Sequence, residues 1–428
     1  MPRSLAPLRH RGFRLLAGGQ LASNFGDAFY AVALPWYVLA EHGGALLLGT
    51  VLVAYGVPRT VLLAVGGHAS DRWRPWTVMM TSDTVRALAA AALAVAAATG
   101  PARADVLVPI AVVLGAGEGL FLPGSFAIIP TLLPDEDLQA GNALSSSGTQ
   151  LATLVGPAIG GAVVAFLGAA PAFAIDAGSF LLSALTLAGV RSAERRTAVA
   201  PPVVEVTTKP MTLRGLLRTQ PVLQVMLLVS VAANLGSGGV SEVAIPALAH
   251  GPLHTSAAGY GGLIAAFGGG ALLGTILAGQ MRRARRPAIL GSVVFLAEAV
   301  LMALVPYLGS VLLVGAALVG FGLLNGFGNV VTITMFQRWV PPDLLGRATG
   351  LLMLASFGIF PVSVALGALV VQNFGPAPFF PLGAAALALA IGAGLCQPAW
   401  RNLGADQPED CAVVADQASS TAGGTGDH

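Results

Sequence analysis

An all-α protein threaded repeatedly through a bilayer is the fold class this sequence predicts, and three observations predict it. Hydrophobic residues make up 55% of the 428 positions and charged residues only 10%, where a soluble domain carries about 25% charge. Apolar stretches of bilayer-spanning length recur from one end of the chain to the other. Basic residues, finally, are confined to alternate joints between those stretches. Arg59 and Arg86 fall inside stretches and Arg103 in a short joint; every other Lys or Arg lies at a terminus or in an even-numbered joint. Helices satisfy their own backbone groups without water, so a chain of such stretches is all-α.

Taken in order, twelve spans are expected, near 15–40, 46–68, 76–99, 106–131, 143–167, 171–190, 222–248, 258–280, 288–305, 311–336, 347–371 and 377–397. The odd-numbered joints, such as 41–45 and 168–170, are short and nearly uncharged. The even-numbered joints carry arginine, as in Asp71-Arg72-Trp73-Arg74 and Arg282-Arg283-Ala284-Arg285-Arg286. The positive-inside rule therefore puts both ends in the cytoplasm. An acidic joint, Asp135-Glu136-Asp137, precedes span 5. The basic run Arg3, Arg9, Arg11, Arg14 leads straight into an apolar span with no small-residue cleavage site, so no cleavable signal is expected. Four regions follow: a six-helix bundle over 1–190, a cytoplasmic linker over 191–221 with a short surface helix near 213–218, a second six-helix bundle over 222–397, and a polar, glycine-rich tail over 398–428 expected to be disordered.

The two bundles are related in sequence. Gly160 pairs with Gly367, Gly168 with Gly375, Pro171 with Pro378 and Phe173 with Phe380 at one constant offset, which Gly115/Gly322, Gly119/Gly326 and Pro134/Pro341 share. Gly67/Gly279 and Arg74-Pro75/Arg286-Pro287 share a second offset. In the first span of each half, Asn24, Gly26 and Pro35 are echoed by Asn234, Gly236 and Pro246. An even number of spans per repeat makes the repeat parallel, about an axis along the membrane normal, with a ligand site expected between the halves near the midplane.

Charge inside the spans marks candidate sites. A carboxylate at bilayer depth costs roughly 2.5–3.5 kcal/mol on insertion scales, so each is a functional hypothesis. Asp27 in span 1 is the foremost: a proton- and cation-sensing acid, or a structural acid paired with a neighbour such as Arg59. Glu118 in span 4 and Glu242 in span 7 join it. Arg59 stays charged and needs either a carboxylate or an anionic substrate. Asp83 and Arg86, one helical turn apart in span 3, are expected to neutralise each other. Asp176 and Glu298 are expected at an interface or against a neighbouring helix. Asn24, Phe25, Tyr30, Phe121, Asn234, Asn325 and Asn329 are candidate cavity contacts, with Phe29, Trp36, Phe126 and Phe327 as further aromatics for an apolar ligand. No nucleotide-binding loop, nucleophilic triad or metal-ligand spacing is present. No cofactor, metal, nucleic-acid partner or enzymatic activity is expected.

Six plus six spans with a charged second joint resemble the major facilitator superfamily. Gly67-His68-Ala69-Ser70-Asp71-Arg72-Trp73-Arg74 is similar to that family's G-x-L-A-D-R-x-G-R-[RK] loop, with Arg74 where many members have Gly. Gly156-Pro157-Ala158-Ile159-Gly160-Gly161 resembles the GPxxGG element associated with proton-coupled exporters. Leu133-Pro134-Asp135-Glu136 and Asn24-Phe25-Gly26-Asp27 look most like the drug-, macrolide- and siderophore-efflux branch. The resemblance implies that spans 1, 4, 7 and 10 line a central cavity. It implies that Gly67, Asp71, Arg72 and Arg74 form a conformational latch facing 346–350, and that Gly156, Pro157, Gly160 and Gly161 make a rigid contact between halves.

The function this implies is secondary transport in a bacterial cytoplasmic membrane. A monomer is expected to export a bulky hydrophobic or cationic small molecule by proton antiport, the halves rocking about the site. A siderophore or other anionic metabolite, or import, is the alternative, and a non-transporting receptor or scaffold is a reading of another class.

Overall fold

A computed structural model describes residues 3–41, 43–72, 75–194, 221–281, 286–339 and 342–402. Among them run twelve long helices: α1 (Arg11–Ala40), α2 (Gly44–Arg72), α3 (Pro75–Thr99), α4 (Ala104–Leu132), α5 (Asp135–Leu167), α6 (Ala169–Glu194), α7 (Pro221–His250), α8 (Ala257–Gln280), α9 (Pro287–Leu304), α10 (Val311–Trp339), α11 (Pro342–Phe374) and α12 (Phe379–Leu395). The expected linker helix near 213–218 and the tail beyond 402 lie outside the described residues. Nine of the described helices are long and apolar enough to cross a membrane. Helix α1 is not among them, because Gln20, Asn24 and Asp27 dilute its apolar run. Large apolar side chains such as Leu88, Phe166, Leu312 and Leu389 stand exposed on the outer surface, as side chains facing lipid do.

Two boundaries depart from the sequence expectation. Helix α5 begins at Asp135, directly after Pro134, so the acidic joint is the first turn of a helix. Carboxylates there meet the partial positive charge of the unsatisfied N–H groups. Helix α7 is not continuous: Val240–Ala244 forms a π-helical turn between two α segments, and Glu242 sits within it. Such a turn widens the coil by one residue and frequently marks a functional position.

The helices pair in the same pattern on either side of the linker. Helix α1 packs on α5 and α6, α2 on α4, and α3 on α4 and α6. Likewise α7 packs on α11 and α12, α8 on α10, and α9 on α10 and α12. The glycines matched in sequence make matching contacts. Gly115 lies against the Tyr55 carbonyl and Gly322 against the Phe267 carbonyl, so close that a side chain at either would collide with backbone. Small residues are what let membrane helices approach this far. Gly168 (φ 89°) and Gly375 (φ 80°) adopt left-handed backbone at the ends of α5 and α11, a conformation that stops a helix and costs glycine least.

The two helix sets meet along two seams. Helix α2 meets α11, with Gly49 against Ala368 and Gly56 against Pro361. Helix α5 meets α8, with Gly161 against Ala257 and Gly261. Both seams run from mid-bundle to the face opposite the termini. There Trp36 stacks on Tyr260 at 6.4 Å between ring centroids and meets His250 edge-on at 5.3 Å. Val32, Leu48, Val243 and Val364, all fully buried, form one core across both sets at this face.

Candidate functional site

Of the intramembrane charges predicted one by one from the sequence, all but Glu298 gather around the first helix set, Glu242 approaching from the second. Arg86 on α3 places its guanidinium 2.7 Å from Asp27 of α1. The same guanidinium lies 3.7 Å from Asp83, one turn away on α3. Its face covers Phe180 at 3.9 Å, with Phe121 at 5.9 Å on its other flank. A guanidinium over rings gains cation–π attraction that an ammonium would make less well. The acids are unequally sheltered: the Asp83 side chain is 0% exposed, whereas that of Asp27 is 41% exposed. Asp176 of α6 is buried beside Gly26, and its Oδ1 has no hydrogen-bond partner among the described residues.

Adjoining this group, Arg59 of α2 lies 3.1 Å from Glu118 of α4, and the Tyr55 hydroxyl donates to the other Glu118 oxygen. Tyr30 stands between the groups, 6.2 Å from Tyr55 and 6.1 Å from Phe173. Glu242, presented by the π turn of α7, comes from the second helix set, and its carboxylate interacts electrostatically with Arg59, Tyr30 and Tyr260. Among the described residues, then, five carboxyl groups (Asp27, Asp83, Glu118, Asp176 and Glu242) gather around two guanidinium groups.

Several pairings differ from those expected. Asp27 takes Arg86 rather than Arg59, and Arg59 takes Glu118. Arg86 is accordingly not a private partner of Asp83 but a bridge from α3 to α1. Both α1 and α3 pack on α6, which brings the two side chains within reach, and sequence spacing carries no trace of it. Phe121 is buried in one cluster with Trp76, Met79 and Ile128, its ring 5.9 Å from the Arg86 guanidinium. Asn24 is committed to α5, donating to Thr149 at 3.1 Å. Phe25 packs partly buried near Gly156. Tyr55, Phe180 and Asp176 complete the network; Tyr55 and Phe180 were not singled out in the sequence, where nothing but helical spacing from Arg59 and Asp176 could have pointed to them.

A cavity of about 650 Å³ opens in the second helix set. Its described walls come from α7 to α12 and from Trp400. Asn234, Asn325 and Asn329 are among the lining residues. Asn234 donates to the Ser230 carbonyl at 2.8 Å. Behind Asn325 lies Glu298, 4% exposed, which accepts from the Asn325 amide at 3.0 Å.

The glycines of the α5 element each meet a neighbour: Gly156 faces Ala28 and Gly160 faces Phe29 on α1, while Gly161 and the Pro157 carbonyl face α8. The latch residues Gly67, Asp71, Arg72 and Arg74, and the 346–350 segment, lie outside the residues whose side chains are described. Among the described residues no set of three or more His, Cys, Asp or Glu is arranged to hold a metal ion.

With this geometry in place, likenesses to known proteins can be weighed. Residues 3–399 match the model of a family described as transmembrane secretion effector, MFS_3. The multidrug efflux pump Tap of Mycolicibacterium fortuitum is 29% identical over 371 residues, which cover 82% of this chain and 87% of that protein. The enterobactin exporter EntS of Shigella boydii is 25% identical over 350 residues, covering 80% and 81%. A crystal structure of a bacterial homologue of the iron transporter ferroportin, in its inward-facing state, superposes with a TM-score of 0.69 at 16% identity, over 91% of this chain and 98% of that one, and so shares the fold. The chain therefore belongs to the transmembrane secretion effector family, membrane transporters of the major facilitator superfamily.

Proposed function

We propose that this protein exports a small, largely apolar or cationic molecule across a bacterial cytoplasmic membrane in exchange for protons. The observation that carries the reading is the Asp27–Arg86 pair. One carboxyl is 41% exposed, and the cation it holds is buried among further acids. Carboxyl groups outnumber the guanidinium groups beside them, and the excess is what a proton can neutralise. When Asp27 takes a proton it releases Arg86. Asp83 already stands 3.7 Å away to receive it, so the cation stays paired while α1 is freed from α3. Cargo carrying positive charge competes for the same carboxyl. That competition couples the two fluxes.

The basic joints support a cytoplasmic terminal face, and on that reading the seam sealed by Trp36 and Tyr260 is the outer gate. The described conformation then faces inward. In this reading the halves 1–190 and 222–397 rock as two bodies, a monomer suffices, and Gly67, Asp71, Arg72 and Arg74 close the cytoplasmic side in the opposite state. A potential of 100 mV supplies about 2.3 kcal/mol per charge moved, enough for roughly fiftyfold accumulation. The likeness to proteins named as efflux pumps supports outward direction. The likeness to one named as an enterobactin exporter keeps a second reading, in which an anionic metabolite displaces Glu118 from Arg59.

Efflux from cells or inverted vesicles, with and without an uncoupler, tests the proposal. Asp27→Asn and the uncoupler are each expected to abolish accumulation against a gradient. Efflux indifferent to both refutes proton coupling. Loss of transport in Arg59→Ala with Asp27→Asn intact favours the anionic substrate.

A further inference from the structure

The two helix sets repeat one pattern, yet they differ in charge. In the register that pairs Gly119 with Gly326, Glu118 of the first set stands opposite Asn325 of the second. In the register that pairs Gly67 with Gly279, Arg59 stands opposite Ala271 and Arg86 opposite Glu298. The first set thus holds both guanidinium groups and a filled ionic network. The second holds the cavity of about 650 Å³, a volume typical of sites for drug-sized ligands.

The chemistry of that cavity is specific. Five aromatic side chains (Phe267, Phe295, Phe321, Phe336 and Trp400) stand in its wall with the neutral polar groups of Ser230, Asn234 and Asn329. No Asp, Glu, Lys or Arg is among its described lining residues. The buried Glu298 is screened from it by Asn325. One Glu298 oxygen accepts the Asn325 amide at 3.0 Å, and the other has no partner among the described residues. Its carboxyl fixes which way Asn325 points: nitrogen toward the acid, oxygen toward Asn329, whose amide it accepts at 3.1 Å. Asn329 is exposed in the lining. A charged ligand here would lose its hydration without gaining a counter-ion, whereas a neutral aromatic one meets rings and amides.

We infer that this cavity is a cargo subsite for an uncharged, aromatic molecule bearing hydrogen-bonding heteroatoms, held by Asn329 and the ring cluster, and separate from the proton-handling network of the first set. Glu298 is a positioning residue acting through Asn325. That the ligand is cargo rests on the transport reading above; that the cavity binds it does not.

Equilibrium binding of Nile red, a neutral aromatic dye, to the purified full-length protein in nanodiscs tests the inference without any gradient. Loss of one hydrogen bond in Asn329→Ala is expected to weaken binding about three- to tenfold. Ala233→Phe, which fills the cavity, is expected to abolish it. Gly178→Ala is expected to leave the dye affinity within about twofold, because Gly178 is outside the cavity and nothing lies within 4 Å of a Cβ there. Size-exclusion profiles and melting curves screen each variant for folding. Should Ala233→Phe not fold, Asn329→Ala and Asn329→Asp, which places a charge in the wall, still decide. Nile red that binds wild type and all cavity variants alike, or is weakened as much in Gly178→Ala as in the cavity variants, overturns the inference, as does no binding to wild type. Dye binding lost in the cavity variants with no efflux of any compound would leave the subsite standing and remove the export reading instead.

Discussion

At Gly161, where α5 crosses α8, one added methyl group should reset the conformational balance of the transporter. A Cβ built at Gly161 falls 2.6 Å from the Ala257 carbonyl oxygen and 3.0 Å from the Gly261 Cα. Both obstacles are backbone, so neither can rotate aside, and the helices themselves must part. Overpacking of this kind costs about 1–3 kcal/mol. The cost falls on the state in which this seam is shut and not on one in which it has opened. A bias of that size changes the ratio of the two states by about 5- to 150-fold. Val164, one turn further along α5 and buried in the sealed core, reports the change. With Cys396 and Cys411 replaced by serine, Val164→Cys labelled by a membrane-impermeant maleimide from outside should react faster in Gly161→Ala. Gly178→Ala is the control, since nothing lies within 4 Å of a Cβ there. Equal labelling in the two backgrounds, with both proteins folded, would refute the argument that this seam is the outer gate.

Other expectations follow from the same contacts. Arg86→Ala strands the buried Asp83 without its cation and should cost about 3–5 kcal/mol of stability, read as a fall in melting temperature in detergent; Arg86→Lys should recover only part, since it cannot cover Phe180 while holding two carboxylates. Ser363→Ala removes the fully buried hydroxyl that accepts from Gly239 N–H at 2.7 Å and donates to the Leu235 carbonyl at 2.6 Å. A loss of about 1–3 kcal/mol is expected, with faster hydrogen exchange in the π turn that carries Glu242. Trp36→Ala, which removes the stack on Tyr260, should raise external labelling of Val164→Cys in the same direction as Gly161→Ala. Unchanged labelling would place the seal elsewhere.

The membrane-spanning class, the order and approximate limits of the helices and the internal repeat were legible in the amino-acid sequence. Each depends on local quantities: apolar length, the placement of arginine and the recurrence of glycine at constant offsets. The same logic marked Asp27, Glu118, Glu242 and Arg59, because a charge within an apolar stretch stands out wherever its helix is later placed. Partnership was not legible. Arg86 belongs to Asp27 and not to Asp83 alone, Arg59 pairs with Glu118, and Phe121 lies beside a cation. Those facts depend on which helices pack together and on their rotation about their own axes. Neither leaves a signal in a single helix, because close packing is achieved by glycine and alanine, which this chain supplies almost everywhere. The π turn at Glu242 was hidden for a related reason: it arises where α7 is held against α11 by Ser363, a constraint that residues 240–244 do not contain. Only the assembled structure could decide that the two repeats, alike in sequence, diverge: one gathers the ion pairs, and the other lines a cavity with no charged side chain among its described walls.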